Sequence, residues 1–373
     1  MMFGRWSTIG LLGLAAILLA YLVAVTGPEK PRGDPGFLAP DARLERLVDG
    51  GKEGLIFTEG VVVTCDRRVL FSDMSAGKTG KHGARRASRI VEYHPDTQAI
   101  SVFRSPSGDA NGNRTDPACR LLTAERHRLV RTDLATRHAE VVFNSDEGGA
   151  YRGLNDIAVD SSGRIYVTHP RYGADQQESV RSLGVYRVDA DGSVTRIIAD
   201  AAKPNGIAIC PDEAHIYVGS YDYEAETGEM ALLRYDLAPD GSAANRQVLV
   251  DYTPQHGPDG LVCDAEGNLW VAVRDSERPG IYAYSVTDGV ARERAYIPTP
   301  ESPTNVHFGR GDDADYLYIT AGNSLYGIRV GKRGHHLQPR SQSLRPRSRN
   351  VGAAGSAVLR STGPQPGPRS AAR

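Results

Sequence analysis

A residue with a side-chain oxygen recurs six times along the 373-residue chain, at intervals of 44 to 54 residues, each time at the start of an apolar run. These six residues are Glu59, Asn111, Asn155, Asn205, Asp259 and Asn305. A repeat of this length is typical of propellers and solenoids, in which each repeat forms one structural unit. In a closed ring the same position of every unit faces the axis, so the sequence predicts oxygen atoms that converge there.

Short β-type runs separated by turn residues fill the repeats. The fourth repeat, for example, contains NGIAICPDEAHIYVGSYD and then MALLRYDLAPDGSAANRQVLV. This pattern indicates about four strands per unit, so we predict an all-β fold, a six-bladed β-propeller with four-stranded blades and a central channel. The last repeat contains only three strands. We therefore expect an N-terminal strand at residues 44–48 to complete the last blade, because an open sheet edge is a liability.

The two ends of the chain differ in composition from the repeats. Residues 1–26 contain a long apolar run after a basic start, which indicates either a signal sequence or an N-terminal membrane anchor. Both alternatives predict an extracytoplasmic, periplasmic or secreted, propeller. We expect a linker at residues 27–41 and the propeller at residues 42–330. Residues 331–373 carry nine basic residues and no acid, and we predict a disordered basic tail.

The predicted propeller is acidic although the whole chain is nearly neutral. The formal net charge of the chain is −1, and it becomes −10 when the nine basic residues of the tail are left out. An acidic domain disfavours a nucleic-acid partner, whose phosphates would be repelled. The same charge suits a site for a cation.

Four cysteines occur in or next to apolar runs, at Cys65, Cys119, Cys210 and Cys263. None belongs to a C-x-x-C pair, which disfavours a redox motif or a zinc knuckle. We interpret them as small buried hydrophobic residues. Disulfides are the alternative if the chain is exported.

Several motifs occur together in the order and at the spacing of one known family. They include VLFSDM, PSGDANG, GRIYVTHPRYG, GVYRVDADGSVTRII, KPNGIAICPDE, HGPDGLVCDAEGNLWVA and IPTPESPTNVHFG. With these motifs the chain resembles the SMP-30/gluconolactonase family, including luciferin-regenerating enzyme, over nearly all of residues 50–330. The resemblance implies a six-bladed propeller that binds one divalent cation, commonly Ca²⁺, at the mouth of its channel. It also implies hydrolysis of a small-molecule lactone.

The resemblance further implies which residues form the site. The metal ligands of the family correspond to Glu59, Asn205 and Asp259, and its further channel asparagine corresponds to Asn155, as a ligand or as a substrate contact. Asp259 also takes the role of catalytic acid and base. We expect Asn111 and Asn305 to serve a turn or the channel wall instead, because Asn before Gly or in a loop is a common turn residue.

Other residues are expected to contact the substrate. Arg152 lies one residue further from Asn155 than the arginine of the sugar-acting members does, and His169 stands where the gluconolactonase branch often has Asp. Glu125 also lies near the expected channel mouth. We assign Asn155, Arg152, Glu125 and His169 to substrate binding.

The chemistry of the predicted ligands is consistent with this function. Two carboxylates and two carboxamides form an all-oxygen set that suits Ca²⁺, with Mg²⁺, Mn²⁺ or Zn²⁺ as alternatives. A divalent cation can polarise a lactone carbonyl while a neighbouring carboxylate accepts the proton of the attacking water. The predicted function is therefore metal-dependent lactone hydrolysis. The alternatives are a non-catalytic, ligand- or partner-binding propeller with a structural metal, and an activity like that of strictosidine synthase or paraoxonase.

Overall fold

The protein forms six antiparallel sheets arranged as the blades of a ring. The computed structural model describes residues 29–74, 87–144, 153–170, 183–225 and 228–337. Within these residues, helix is limited to α1 (Gly50–Glu53) and a 3-10 turn (Gly311–Asp313). Each innermost strand also contacts the innermost strands of both neighbouring blades. The predicted all-β, six-bladed propeller is confirmed.

The strands follow one another through the blades in chain order. Before the first blade come β1 (Arg32–Gly33) and β2 (Glu45–Val48). Blade 1 contains β3 (Thr58–Val63), β4 (Val69–Asp73), β5 (Arg89–His94) and β6 (Ala99–Arg104). Blade 2 contains β7 (Asn113–Thr115), β8 (Leu121–Ala124), β9 (Arg128–Thr132) and β10 (Ala139–Asn144). Blade 3 contains β11 (Ile157–Val159), β12 (Ile165–His169), β13 (Gly184–Val188) and β14 (Val194–Ile198).

Blades 4 and 5 have longer outer strands than the other blades. Blade 4 contains β15 (Pro204–Ile209), β16 (His215–Tyr221), β17 (Met230–Leu237) and β18 (Ala243–Asp251). Blade 5 contains β19 (Pro258–Cys263), β20 (Leu269–Val273), β21 (Gly280–Thr287) and β22 (Val290–Pro298). Blade 6 contains β23 (Pro303–Phe308), β24 (Tyr316–Ala321) and β25 (Ser324–Arg329).

The ring closes through a strand from the N-terminal side of the chain. β2 pairs antiparallel with β25, with Glu45 opposite Gly327, and so becomes the fourth strand of blade 6. This confirms the predicted completion of the last blade. β1 adds a fifth strand to blade 5, with Arg32 opposite Tyr296, although it belongs to the segment predicted to be a linker.

Apolar side chains between neighbouring blades form the core. Trp270 is fully buried, and its ring lies 6.1 Å from that of Phe37 and 5.6 Å from that of Phe308. Its indole Nε1 donates a hydrogen bond of 3.1 Å to Oδ2 of Asp264, so the polar end of the side chain is satisfied. Phe37 comes from the N-terminal segment, which therefore contributes to the core as well as to a sheet edge.

The residues that open the innermost strands lie at irregularities in the strand pairing. In β3 the register shifts between Glu59 and Val62, and β15 and β19 have the same irregularity around Asn205 and Asp259. Such β-bulges redirect side chains and are common beside active sites. The bulges explain how a strand can present its first polar side chain toward the channel and its next residues to the core.

The glycine that follows these residues allows neighbouring blades to approach closely. A Cβ atom on Gly206 would lie 2.1 Å from the carbonyl oxygen of Asp259 in the next blade. A Cβ atom on Gly60, whose φ is +54°, would lie 2.0 Å from the carbonyl oxygen of Asn111. The repeated glycine therefore serves blade packing around the axis as well as local turn geometry.

Two disulfides connect neighbouring blades. Cys65–Cys119 joins blades 1 and 2, and Cys210–Cys263 joins blades 4 and 5, with Cα–Cα distances of 5.6 and 5.3 Å. No cysteine is free, so the disulfide alternative is correct. The physical reason is that the far ends of adjacent inner strands lie side by side, which brings cysteines one repeat apart within reach. Cys210 and Cys263 are also buried as predicted, whereas Cys65 and Cys119 are only partly buried.

The C-terminal segment also contacts the propeller. Residues 331–337, the first part of the predicted tail, include Gly334, which forms a β-bridge with Asp264, and Leu337, which packs against the core of blades 2 and 3. The predicted leader at residues 1–26 and the rest of the predicted tail lie outside the described residues. Among the residues that are described, no helix has the length and apolar character needed to cross a membrane.

Candidate active site in the channel

Two carboxylates and a carboxamide meet at one end of the channel, which we call the upper end. Glu59, Asn205 and Asp259 open the inner strands of blades 1, 4 and 5, and all three are buried. The side chain of Asn205 forms a hydrogen bond with Asp259, and the charge of Asp259 acts on Glu59. The structure therefore brings together the three residues predicted as metal ligands.

The two carboxyl groups are held in an environment that disfavours their charged forms. Burial, and then the charge of Asp259, raises the pKa of Glu59 well above its ordinary value. Burial also raises the pKa of Asp259, although Arg274 and Asn205 act in the opposite direction. Like charges that are buried side by side need a compensating cation.

Arg274 supplies part of this compensation. Its Nη1 donates a hydrogen bond of 2.9 Å to Oδ2 of Asp259, and its guanidinium lies over the rings of Phe57 and Tyr221 at 5.7 and 5.6 Å. The carboxylates of Asp259 and Glu59 together raise the pKa of Arg274, with Asp259 contributing more, although burial acts against them. Arg274 stays charged and fixes the orientation of the Asp259 carboxylate.

Asn155 and Asp156 occupy the neighbouring position in blade 3. The N–H of Asn155 donates to the carbonyl oxygen of Thr168, whose hydroxyl donates to the carbonyl oxygen of Asn205 over 2.6 Å. This backbone link places Asn155 beside the Asn205 position. Asp156 is buried too, and burial raises its pKa to about 6, with Arg114 acting to lower it and Asp259 to raise it.

Aromatic and polar side chains surround the upper end on the side of blade 4. The Tyr221 hydroxyl lies 2.7 Å from Nδ1 of His256, and burial raises the pKa of Tyr221 to about 12. Tyr223 is half exposed, with its ring centre 5.4 Å from that of Tyr221. Lys203 is buried and forms an ion pair with Glu224. An aromatic wall with hydroxyl and amine groups can hold a hydroxylated ring.

The residues predicted to bind substrate differ in their surroundings. Glu125 is buried and forms ion pairs with Arg104 at 2.8 Å and Arg128 at 2.5 Å, so its carboxylate already has two partners. His169 is buried at the end of β12, with its ring edge toward Tyr186. Arg152 lies outside the described residues.

Asn111 and Asn305 hold the equivalent places in blades 2 and 6. Oδ1 of Asn305 accepts a hydrogen bond of 2.9 Å from the N–H of Val306, which is a local backbone contact. The carbonyl oxygen of Asn111 accepts a hydrogen bond of 2.7 Å from the hydroxyl of Ser72 in blade 1. Both residues thus form contacts that hold the channel wall together.

The side-chain oxygens of the predicted ligands have the chemistry of a site for a divalent cation. The described residues contain no group of three or more His, Cys, Asp or Glu side chains arranged to hold a metal. The predicted set has only two carboxylates, with carboxamides as the other donors, so it does not depend on such a group. Two buried carboxyl groups with raised pKa values and the adjacent carboxamide of Asn205 fit a hard divalent cation.

Two charged residues that interact with Asp259 were not predicted from the sequence. Arg274 lies 15 residues beyond Asp259, at the end of strand β20, and reaches the channel because β20 pairs antiparallel with β19. Asp156 directly follows Asn155 and was passed over because the repeat marks only one polar position per blade. The signal that could have found Arg274 is a charged residue that follows the apolar run LWVAV.

The sequence of this chain is similar to a known family and to two lactonases. A family model for the SMP-30/gluconolactonase/LRE-like region matches residues 57–323. The gluconolactonase of Zymomonas mobilis subsp. mobilis is 26% identical over 271 residues, which cover 65% of this chain and 73% of that protein. The 6-deoxy-6-sulfogluconolactonase of Pseudomonas putida is 31% identical over 239 residues, which cover 63% of this chain and 76% of that protein.

A solved structure supports the same relationship. The gluconolactonase from Xanthomonas campestris matches with a TM-score of 0.64 at 26% identity, covering 81% of this chain and 95% of that one. The fold, the order of the motifs and the family match over residues 57–323 agree. This chain is therefore a member of the SMP-30/gluconolactonase/LRE-like family.

Proposed function

We propose that the protein is a hydrolase that opens the lactone of a sugar acid at the upper end of its channel, with a divalent cation. The observation that carries this proposal is the buried pair of Glu59 and Asp259, whose pKa values are both raised. A protein without a use for these charges would gain stability from apolar residues in their place. The similarity to a gluconolactonase and a sulfogluconolactonase supports the substrate class.

Glu59, Asn205 and Asp259 would hold the cation, with Asn155 beside them. The oxygen-only donor set favours Ca²⁺, with Mg²⁺, Mn²⁺ and Zn²⁺ as alternatives. When bound, the cation supplies Lewis-acid polarisation of the lactone carbonyl.

Asp259 is the group that we assign to proton transfer. Its carboxylate takes a proton from the water that attacks the carbonyl carbon, and the tetrahedral carbon then loses the ring oxygen. The proton passes to that oxygen as the ring opens, so the products are a carboxylate, a hydroxyl group and one released proton. Arg274 keeps Asp259 in one orientation and opposes its protonation before water attack, because it holds Oδ2 at 2.9 Å.

The side chains around Asp259 support binding of a polar ring. Tyr221, Tyr223 and His256 offer hydroxyl and imidazole groups next to an aromatic surface. The Arg274 guanidinium also lies over the ring of Phe57. We assign these residues to the substrate pocket, together with Asn155, Arg152, Glu125 and His169 as predicted from the sequence.

We further propose that the propeller works outside the cytoplasm. Both disulfides support this location, because such bonds persist in oxidising compartments and are rare in the cytosol. The predicted leader is consistent with it.

The decisive experiment is hydrolysis of gluconolactone, galactonolactone and an aryl lactone by the purified protein, with Asp259→Asn as the test variant. We expect turnover by the native protein and a loss of about 10³-fold or more in kcat for the variant. Asp240→Asn is the matched control, because Asp240 lies in an exposed turn and the change in charge is the same. Lactone binding without turnover would favour the non-catalytic propeller instead.

The cation is tested separately from the activity. After treatment with a chelator, addition of Ca²⁺ should raise the Tm of the native protein, and this increase should be lost in Glu59→Gln. An equal increase in the native protein and the variant would place the cation elsewhere.

A further inference from the structure

A small cavity lies at the end of the channel opposite Asp259. Its volume is about 40 Å³, and residues at the far ends of four inner strands line it: Thr115, Val159, Ile209 and Cys263. We call it the lower cavity. One water molecule needs about 10–15 Å³ of such space, so the cavity has room for about three waters or one small ion. None of the described residues assigned to lactone hydrolysis lines it.

Two arginines reach the lower cavity without a carboxylate partner among the described residues. Nε of Arg114 donates to the carbonyl oxygen of Ile157 at 3.2 Å, while Arg310 donates from Nε to the carbonyl oxygen of Val63 at 2.9 Å and from Nη2 to Oγ1 of Thr115 at 3.0 Å. In the described ranges neither guanidinium forms an ion pair within 4.0 Å. The Nη groups of Arg114 also have no hydrogen-bond acceptor among the described residues.

The positive charge is strong enough to affect neighbouring groups. Burial, and then the charge of Arg114, lowers the pKa of Arg310 to about 10, which still leaves it protonated at neutral pH. Burial lowers the pKa of His307 and His336, and both arginines lower it further. Two partly buried cations that act on each other are costly unless an anion accompanies them.

Two carboxylates come near the lower cavity, but neither forms an ion pair with Arg114 or Arg310 that would neutralise their positive charges. Asp156 acts on Arg114 from the channel side, beyond ion-pair distance. Glu213 lines the rim, and its carboxylate accepts hydrogen bonds from the N–H and the hydroxyl of Ser161 at 2.6 and 2.7 Å. Its charge acts on His335 rather than on the guanidinium groups.

The C-terminal segment forms part of the wall of the lower cavity. His335, His336 and Leu337 line it, and the His336 ring lies 5.5 Å from that of His307. Nε2 of His336 donates to the carbonyl oxygen of Gly309 over 2.8 Å, which fixes the ring. A pocket lined by the C-terminal segment, with two guanidinium groups that form no ion pair with the described residues, is a preformed site for a compact ligand.

We propose that the lower cavity binds one small tetrahedral oxyanion, such as phosphate or sulfate, between Arg114 and Arg310. The planar guanidinium forks present N–H groups that match the oxygen atoms of such an anion. A divalent cation is disfavoured there because both arginines would repel it. This site is separate from lactone hydrolysis, and the anion would stabilise the lower end of the ring.

The test is thermal unfolding of the full chain in the presence of a chelator, with phosphate or sulfate compared with chloride at the same ionic strength. We expect 10 mM phosphate or sulfate to raise the Tm by about 4 °C over chloride. Calorimetric titration with inorganic phosphate should give one site per chain. No increase over chloride with either anion, and no heat of binding, would overturn the proposal.

Four variants locate the anion. Arg310→Gln should abolish the increase in Tm, and His336→Gln, which removes a lining ring and no formal charge at neutral pH, should weaken it. Arg329→Gln is the matched control, because Arg329 is an exposed arginine paired with Asp313 and Asp315, and it should respond as the native protein does. An increase that survives in Arg310→Gln, or one that is lost in Arg274→Gln, would overturn the assignment to the lower cavity.

Discussion

Nη1 of Arg274 donates a hydrogen bond of 2.9 Å to Oδ2 of Asp259, at the point where Glu59 and Asn205 also meet. One cationic side chain thus stabilises the carboxylate to which we assign both cation binding and proton transfer. Arg274 and the proposed divalent cation would carry charge of the same sign beside the same oxygens. We therefore expect the affinity of the site for a cation to depend on the residue at position 274.

Replacement of Arg274 by Gln should tighten the binding of Ca²⁺. Loss of one positive charge near Asp259 and Glu59 removes a repulsion that we expect to be worth about tenfold or more in Kd. Calorimetric titration of the chelator-treated protein measures this. Arg329→Gln removes an arginine from an exposed ion pair and should leave the Kd unchanged. Equal or weaker Ca²⁺ binding by Arg274→Gln would show that Arg274 does not oppose the cation.

Replacement of Gly206 by Ala should loosen the junction between blades 4 and 5. The new Cβ would lie 2.1 Å from the carbonyl oxygen of Asp259, so the inner strands must separate. We expect a loss of about 3 kcal/mol in the free energy of unfolding, measured by urea denaturation. Gly36→Ala is the control, because nothing lies within 4 Å of its Cβ position. The prediction fails if both variants are equally stable.

Removal of one disulfide should destabilise the ring without changing its fold. Cys210 and Cys263 are separated by 53 residues, and closing a loop of that length stabilises a protein by about 4 kcal/mol in the chain-entropy model. The double variant Cys210→Ala/Cys263→Ala should therefore unfold at a lower urea concentration than the native protein.

Thiol titration provides the control for that experiment. The native protein should show no reactive thiol after denaturation without reductant, and four after reduction. Free thiols in the unreduced protein would contradict the pairing. The variant Cys65→Ala/Cys119→Ala tests the other bond in the same way.

His336 should make the protein less stable in mild acid. Burial, and then the charge of Arg310, lowers its pKa to about 3 in the folded state, against about 6.5 when unfolded. The unfolded chain therefore binds more protons, and the free energy of unfolding falls as the pH decreases from about 6.5 toward 3. The charged or titratable groups that line the same cavity are Arg114, Glu213, His307, Arg310 and His335.

The variant His336→Gln isolates this contribution. Between pH 7 and pH 5 the native protein should lose about 1 kcal/mol more than the variant does, because Gln does not titrate and His336 keeps partial contact with solvent. Urea denaturation at the two pH values gives the difference, and groups common to both proteins cancel. Parallel pH profiles would contradict a buried, neutral His336.

The sequence predicted the ring well because the ring is built from local, repeated signals. The six marked positions, the strand pattern and the missing strand of blade 6 all appear in the order of the residues. Contacts between distant residues were harder to predict. The pairing of Cys210 with Cys263 depends on adjacent strand ends, and the contact of Arg274 with Asp259 depends on the antiparallel pairing of β19 and β20.

The lower cavity was even harder to predict, because all of its charged residues are distant from one another in the sequence. Arg114 and Arg310 come from blade 2 and from the turn after β23, and His336 comes from a segment that was predicted to be a disordered tail. Nothing in their local sequence links them. Only the closed ring brings them to one place.

The pairing of β2 with β25 has a consequence for how the chain reaches its native state. Glu45 and Gly327 lie near opposite ends of the described chain, so blade 6 cannot be completed until nearly the whole propeller has been synthesised. Contacts between such distant residues slow folding. A product that stops before Ser324 would leave two unpaired sheet edges available to other chains. Closure of the ring thus distinguishes complete molecules, in which β2 and β24 both pair with β25, from incomplete ones, in which these two strands leave edges that are prone to aggregate.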